Sequence, residues 1–195
     1  ICTVKDGAIT VAAQGYGLKS DNEEDAAKGY IAIADGVLDI TAGGDAITAQ
    51  TDVLISGGEF TLISGGGSGN WVDETTSAKG IKGVVNVTID DGVFTVDAAD
   101  DAIHANDSLT VNDGAFTIAT GDDAFHADST MTINGGDIRI TTSYEGIESA
   151  VITINGGAID LVSSDDGINV AGGNDGSGMA SGMVPGGRPG RGARP

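Results

Sequence analysis

Carboxylates recur in this chain at spacings that could hold a cation. They run Asp45, then Asp100 and Asp101, then Asp122 and Asp123, then Glu145, then Asp165 and Asp166. His104 and His126, the only histidines, each stand three residues after an Asp pair, and Glu148 and Asn169 continue their file; Lys19, Thr48 and Lys82 precede it. Stacked about 5 Å apart on a rigid scaffold, such acids repel by up to a few kcal/mol per pair at a surface dielectric. Something must neutralise them. Between Gly83 and Ile138 there are eleven Asp and no Lys or Arg, so ion pairing within that stretch is excluded. Two answers remain, protonation at low pH or through raised pKa values, and a bound divalent cation. Calcium matches best, because it takes six to eight hard oxygens from carboxylates, carbonyls and water in a tolerant geometry. The candidate ligands are Asp45, Asp100, Asp101, Asp122, Asp123, Glu145, Glu148, Asp165 and Asp166. The competing reading is that corner Asp residues favour turns and stay hydrated. By alternation His104 and His126 point outward, as surface contacts or as a stacked pair, although zinc wants more nitrogen or sulfur than two imidazoles offer.

What must position these groups is a repeat. Gly-Gly or Asp-Gly followed by an alternating apolar run recurs with its second glycine at Gly7, Gly36, Gly58, Gly92, Gly114, Gly136 and Gly157, at spacings of 29, 22, 34, 22, 22 and 21. The two long intervals read as one repeat plus insertions, at Ser20–Gly29 and Ser64–Lys79, which should be surface loops. Within a unit the period is two, as strands require: Phe116 and Ile118, then Phe125 and Ala127, then Met131 and Ile133. Superposed units give apolar columns headed by Ile9, Val11, Leu18, Ile31 and Ile33. No 22-residue unit can bury its own apolar face, so the units must stack. The expected architecture is all-β, a parallel β-helix of about seven coils with 21–22-residue repeats, roughly 34 Å long at the strand spacing. It would occupy residues 1–171. Residues 172–195 lose the period, become Gly-, Arg- and Pro-rich, and read as a tail or linker.

Composition narrows the partners. The chain has 195 residues with 29 acidic against 9 basic, a formal net charge of -20, which repels a phosphate backbone and disfavours nucleic acid. It has no apolar run long enough to span a bilayer. The lone Cys2 can form no internal disulfide and fits no zinc pattern. The chain opens without Met or an apolar leader and reads as a processed or excised segment.

The runs GLKSDNEEDAAKGY, SAKGIKG, DDAIHA, GDDAFHAD, SYEGIES, INGG and SDDGINVAGGNDGSG resemble the secreted bacterial carbohydrate-binding β-helix family, from about Lys5 to Gly178. The resemblance implies a right-handed helix with a pectate-lyase-like fold at the cell surface, binding calcium at the acidic corners and polysaccharides such as cellulose and polygalacturonate. The first expectation is therefore a non-catalytic, calcium-dependent polysaccharide-binding protein. Trp71, His104, His126, Arg139 and Tyr144 are its candidate sugar contacts, together with flat Thr and Asn ladders. Trp71, in a Gly/Ser loop, could equally fold back as a clasp. An adhesin or end-to-end filament subunit is the alternative, since open solenoid ends invite pairing between copies. A polysaccharide lyase is the weaker third, with Arg139 read as the basic residue nearest the ladder.

Overall fold

The columns of the sequence become columns in space. The structure, a computed structural model, describes residues 1–73 and 75–171; the proposed tail at 172–195 lies outside them. Seven parallel strands form one sheet: Ala8–Ala13, Val37–Ala42, Glu59–Ser64, Val93–Ala98, Ala115–Thr120, Asp137–Thr142 and Ala158–Leu161. After each of the first four comes a corner, then two shorter strands that belong to a second, twelve-stranded sheet; after the sixth comes the single strand Ile147–Ile154, and after the last only Ile168–Asn169 is described. In the fourth coil these are Ile103–Ala105 and Ser108–Val111; in the next they fuse into one strand, Phe125–Ile133, with a bulge after Ala127. Every described pairing is parallel and joins a residue to its counterpart one coil on, which makes the molecule a parallel β-helix.

Alternation sets the two sides of each wall. In Val93–Ala98, Phe94 and Val96 are buried while Val93 and Thr95 face solvent. The pairings Ile9, Leu38, Phe60, Phe94, Phe116, Ile138 and Ile159 run unbroken. Inside that file Phe60, Phe94 and Phe116 stack face to face, 4.6 and 4.7 Å between ring centres. Phe125 closes the stack edge-on at 5.6 Å. Each such pair adds about 0.5–1.5 kcal/mol to the burial of its rings. Cys2, without a disulfide partner, pairs with Ile31 and packs half-buried against the core at the head of the column Ile31, Val53, Val87, Leu109, Met131 and Ile152.

The tight turn into the seven-stranded sheet explains the Asp-Gly signature. Gly58 has φ +114, and a Cβ there would lie 2.8 Å from the carbonyl oxygen of Gly36 in the coil above. Only glycine meets both demands. In four turns the preceding Asp accepts the glycine amide through Oδ1, from Gly7, Gly36, Gly92 and Gly114 at 2.6–2.9 Å. Those four acids, Asp6, Asp35, Asp91 and Asp113, are exposed turn-formers, as the hydrated reading expects. Beside the turns Asn155, Asn134 and Asn112 donate in succession along the axis at 2.7 and 2.8 Å, ending on Asp90.

The insertions leave at different corners, the first between Leu18–Ser20 and Ile31–Ile33 of the twelve-stranded sheet, the second between Glu59–Ser64 of the seven-stranded sheet and Ile81–Gly83. The first holds a single 3-10 turn, Ala26–Lys28, capped by Asp25. The second is braced where Ser68 N–H donates to Asp97 Oδ1 and Asn70 Nδ2 to the Gly65 carbonyl, each at 2.6 Å. Its far end turns inward: Ala78 is buried, and Lys79-Gly80-Ile81 takes the place that Asp101-Ala102-Ile103 takes one coil later.

Candidate functional site

Two surfaces carry the candidate residues. The first is the corner leading out of the seven-stranded sheet, where Asp45, Lys79, Asp101, Asp123, Glu145 and Asp166 occupy equivalent positions one residue before a Gly or Ala that is buried in every coil but the last. These carboxylates have a structural task. Asp45 Oδ1 accepts the Lys79 amide at 2.9 Å, Asp101 Oδ1 the Asp123 amide at 3.2 Å, and Asp123 Oδ1 the Glu145 amide at 3.1 Å. Each acid thus fastens the corner of the next coil. Asp45 is further engaged by Ser77 Oγ at 2.7 Å, which ties it to the second insertion.

The remaining oxygens meet cations that the chain itself supplies. Lys79 Nζ lies 2.7 Å from both Asp100 Oδ1 and Asp101 Oδ2. The absence of bases from Gly83 to Ile138 therefore does not leave these acids unpaired; the base comes from 21 residues upstream. Nor is Arg139 the basic group at the ladder. Burial pulls the Lys79 ammonium down, but the two carboxylates outweigh it and hold its pKa above the ordinary lysine value. Asp101 Oδ2 also faces His104 Nδ1 at 2.8 Å. Burial opposes the ionised form of Asp101, yet Lys79 and His104 keep it well below the usual carboxylate range.

Outward alternation of the histidines holds, but exposure does not follow from it. His126 is buried, stacked on His104 with ring centres 4.8 Å apart. Its Nδ1 faces Asp123 Oδ2 at 3.1 Å and Glu148 Oε2 at 3.3 Å, and its Nε2 faces Asp128 Oδ1 at 3.1 Å. Burial lowers its pKa, but the bond to Asp123 and the charges of Asp101, Asp123 and Glu148 push it up to about 10. One coil on, Asn169 Nδ2 donates to both oxygens of Glu145 at 3.0 Å and approaches Glu148 Oε1 at 3.5 Å.

Asp122 differs from its neighbours. It is 3% exposed, and its Oδ1 has no hydrogen-bond partner among the described residues. Burial and the charges of Asp101, Asp123 and Asp100 push its pKa up to about 9. One carboxylate oxygen each from Asp100, Asp101 and Asp122 lies within 4.8 Å of the others. This all-oxygen group suits a hard cation, with Lys79 as resident competitor for two of the three acids. The groups Asp101–His104–His126 and Asp123–His126–Glu148 are equally compact but bring imidazole. Asp165 and Asp166 are exposed; Tyr144 hydrogen-bonds to Asp165, and that bond with the Asp165 charge raises the phenol pKa.

The second surface is the outer face of the seven-stranded sheet. Thr61, Thr95, Thr117, Arg139 and Asp160 stand in one register file. Between it and the neighbouring file Val93, Ala115 and Asp137 lies a shallow open groove of about 310 Å³. Trp71 is 75% exposed, which decides against a clasp. Sequence reasoning missed Lys79 and Asp128. The signal for Lys79 was the match of SAKGIKG to DDAIHA once Ile81 is set against Ile103.

The fold and site define a parallel β-helix with a repeated polar face and a buried, acid-rich corner. A family model described as carbohydrate-binding domain-containing protein matches residues 1–124, and the chain belongs to that family. The match takes in Asp45, Asp100, Asp101, Asp122 and Asp123. No curated protein and no solved structure matches the chain. No helix among the described residues is long and apolar enough to cross a membrane.

Proposed function

We propose that this chain is a calcium-dependent, non-catalytic polysaccharide-binding protein, secreted or displayed at the cell surface, that takes cellulose or acidic polymers such as polygalacturonate. The observation that carries the reading is the groove on the seven-stranded sheet, where a file of hydroxyls runs into Arg139. Repeated Thr side chains offer a polymer the same donors and acceptors coil after coil. Arg139 adds one cation, in a form that can grip a carboxylate with two parallel N–H groups. The exposed rings of Trp71 and Tyr144 offer apolar faces to sugars.

Calcium enters at Asp100, Asp101 and Asp122. The buried oxygen of Asp122 without a partner is the feature that supports it. A divalent ion would ionise Asp122, share Asp100 and Asp101 with Lys79, and offset a local surplus of negative charge. Secretion accords with millimolar calcium, at which such modules are filled.

The test is retention of the full chain on cellulose and on polygalacturonate, with calcium and with chelator. Binding that falls on chelation and on Arg139→Ala supports the proposal. Equal binding by Arg139→Ala and the parent places the sugar elsewhere, and a melting temperature unmoved by chelator removes calcium from the account.

A further inference from the structure

We infer that His126, Asp123 and Glu148 form a second metal site, distinct from the all-oxygen group and selective for a first-row transition ion of the zinc or cobalt kind. Three observations converge on it. First, the three donor atoms lie within 4.8 Å of one another, and the two separations from the ring nitrogen match a coordination sphere. His126 Nδ1 lies 3.1 Å from Asp123 Oδ2 and 3.3 Å from Glu148 Oε2. Donors about 2.0–2.1 Å from a tetrahedral ion stand roughly 3.3 Å from one another.

Second, the imidazole is held as a ligand would be. Its other nitrogen, Nε2, meets Asp128 Oδ1 at 3.1 Å, so Nε2–H can donate to Asp128 and leave the Nδ1 lone pair directed at the site. A carboxylate behind the histidine is the usual outer support of a metal-bound imidazole. His104, stacked at 4.8 Å with the planes 12° apart, fixes the ring from one side. It is a poorer ligand itself, since its Nδ1 faces the Asp101 oxygen that Lys79 already holds.

Third, the site is dry and rigid. Asp123, His126 and Glu148 are 0%, 5% and 2% exposed, and they come from two adjacent coils locked by the pairing of His126 with Glu148. Imidazole with two carboxylates suits zinc, cobalt or manganese rather than calcium, which prefers oxygen alone. On binding, the ion displaces any Nδ1 proton to solvent.

The test is titration of the chelator-stripped full chain, with Cys2→Ser to silence the thiol and calcium in excess to fill the oxygen group. Cobalt(II) is the probe, read by visible absorption, and zinc competes for it. The expected result is one equivalent of cobalt, with the intense bands of a four- or five-coordinate ion bleached by zinc. His126→Ala and the near-isosteric Glu148→Gln should each weaken uptake by more than the roughly tenfold that loss of an outer support costs. Asp122→Asn should leave it unchanged. Absence of cobalt and zinc uptake, or uptake undiminished in folded Glu148→Gln, overturns the proposal. Because calcium is present throughout and Asp122 is varied separately, failure of the calcium reading would register independently.

Discussion

The chain places aspartate at two repeating stations, and the two behave oppositely. At the tight turns Asp35, Asp91 and Asp113 are exposed, and each accepts the amide of its own glycine neighbour at 2.7–2.9 Å. At the corners Asp101, Asp122 and Asp123 are 3%, 3% and 0% exposed; Asp101 and Asp123 each accept an amide from the next coil as well as facing a histidine of their own. The turn acids cost nothing electrostatically because water solvates them. The corner acids depend on Lys79, two histidines and whatever cation joins them. A count of acidic residues treats the stations alike; burial and the origin of the partner separate them.

The largest test of that contrast is Lys79→Met in chelator. Removing one member of a buried charge cluster takes the lysine from both Asp100 and Asp101, leaves Asp101 with His104 alone, and should cost about 3–5 kcal/mol. That corresponds to a fall in Tm of order 10 °C for a chain of this size, read by calorimetry, and calcium should restore part of it. An unchanged Tm would mean that the corner charges are as well solvated as those of the turns.

Asp122→Asn should act the other way. It removes a buried carboxylate that lacks a partner, so the chelated protein should gain about 1–3 kcal/mol, while the rise in Tm on adding calcium should disappear.

A pH series separates the stations without mutation. His126, with its pKa raised from 6.5 to about 10, contributes stability that is complete below about pH 6.5 and lost as pH rises through about 10. Asp122, raised from 3.8 to about 9, must be held protonated at increasing cost across that interval. Both slopes have the same sign. Chelated protein should therefore lose stability steadily from about pH 6 to 9, and a divalent ion should flatten the part due to Asp122. A Tm that is level over this range would contradict both assignments.

The smallest effect belongs to the turns. Asp113→Ala removes one exposed side-chain hydrogen bond and should cost about 0.5–1.5 kcal/mol, with the response to calcium unaltered.

The fold was legible because period two and period 22 act on the same residues. Phe60, Phe94 and Phe116, set in one column by counting from the glycines, are paired and stacked in that order. The corner was only half legible. That acids would stack there follows from the same counting, but the insertion before Lys79 hid its alignment with Asp101. Alternation placed the histidines outside the barrel without revealing that neighbouring carboxylates and a second ring would cover His126. Period reports which wall a side chain leaves by, not what meets it there. Trp71 lay beyond either period, and only the course of its loop exposes the ring.

The one-to-one register has a consequence for how such a chain can change length. Because each residue pairs with its counterpart one coil on, a gain or loss of more than the single residue that a bulge such as the one after Ala127 absorbs must amount to a whole turn or leave the wall altogether. The intervals of 29 and 34 residues between successive glycines obey this rule, since their surplus is discharged between Ser20 and Ile31 and between Ser64 and Ile81 without displacing any column. The second detour returns carrying Lys79, so the length change that the wall could not absorb became the means of delivering a base to its most acidic corner.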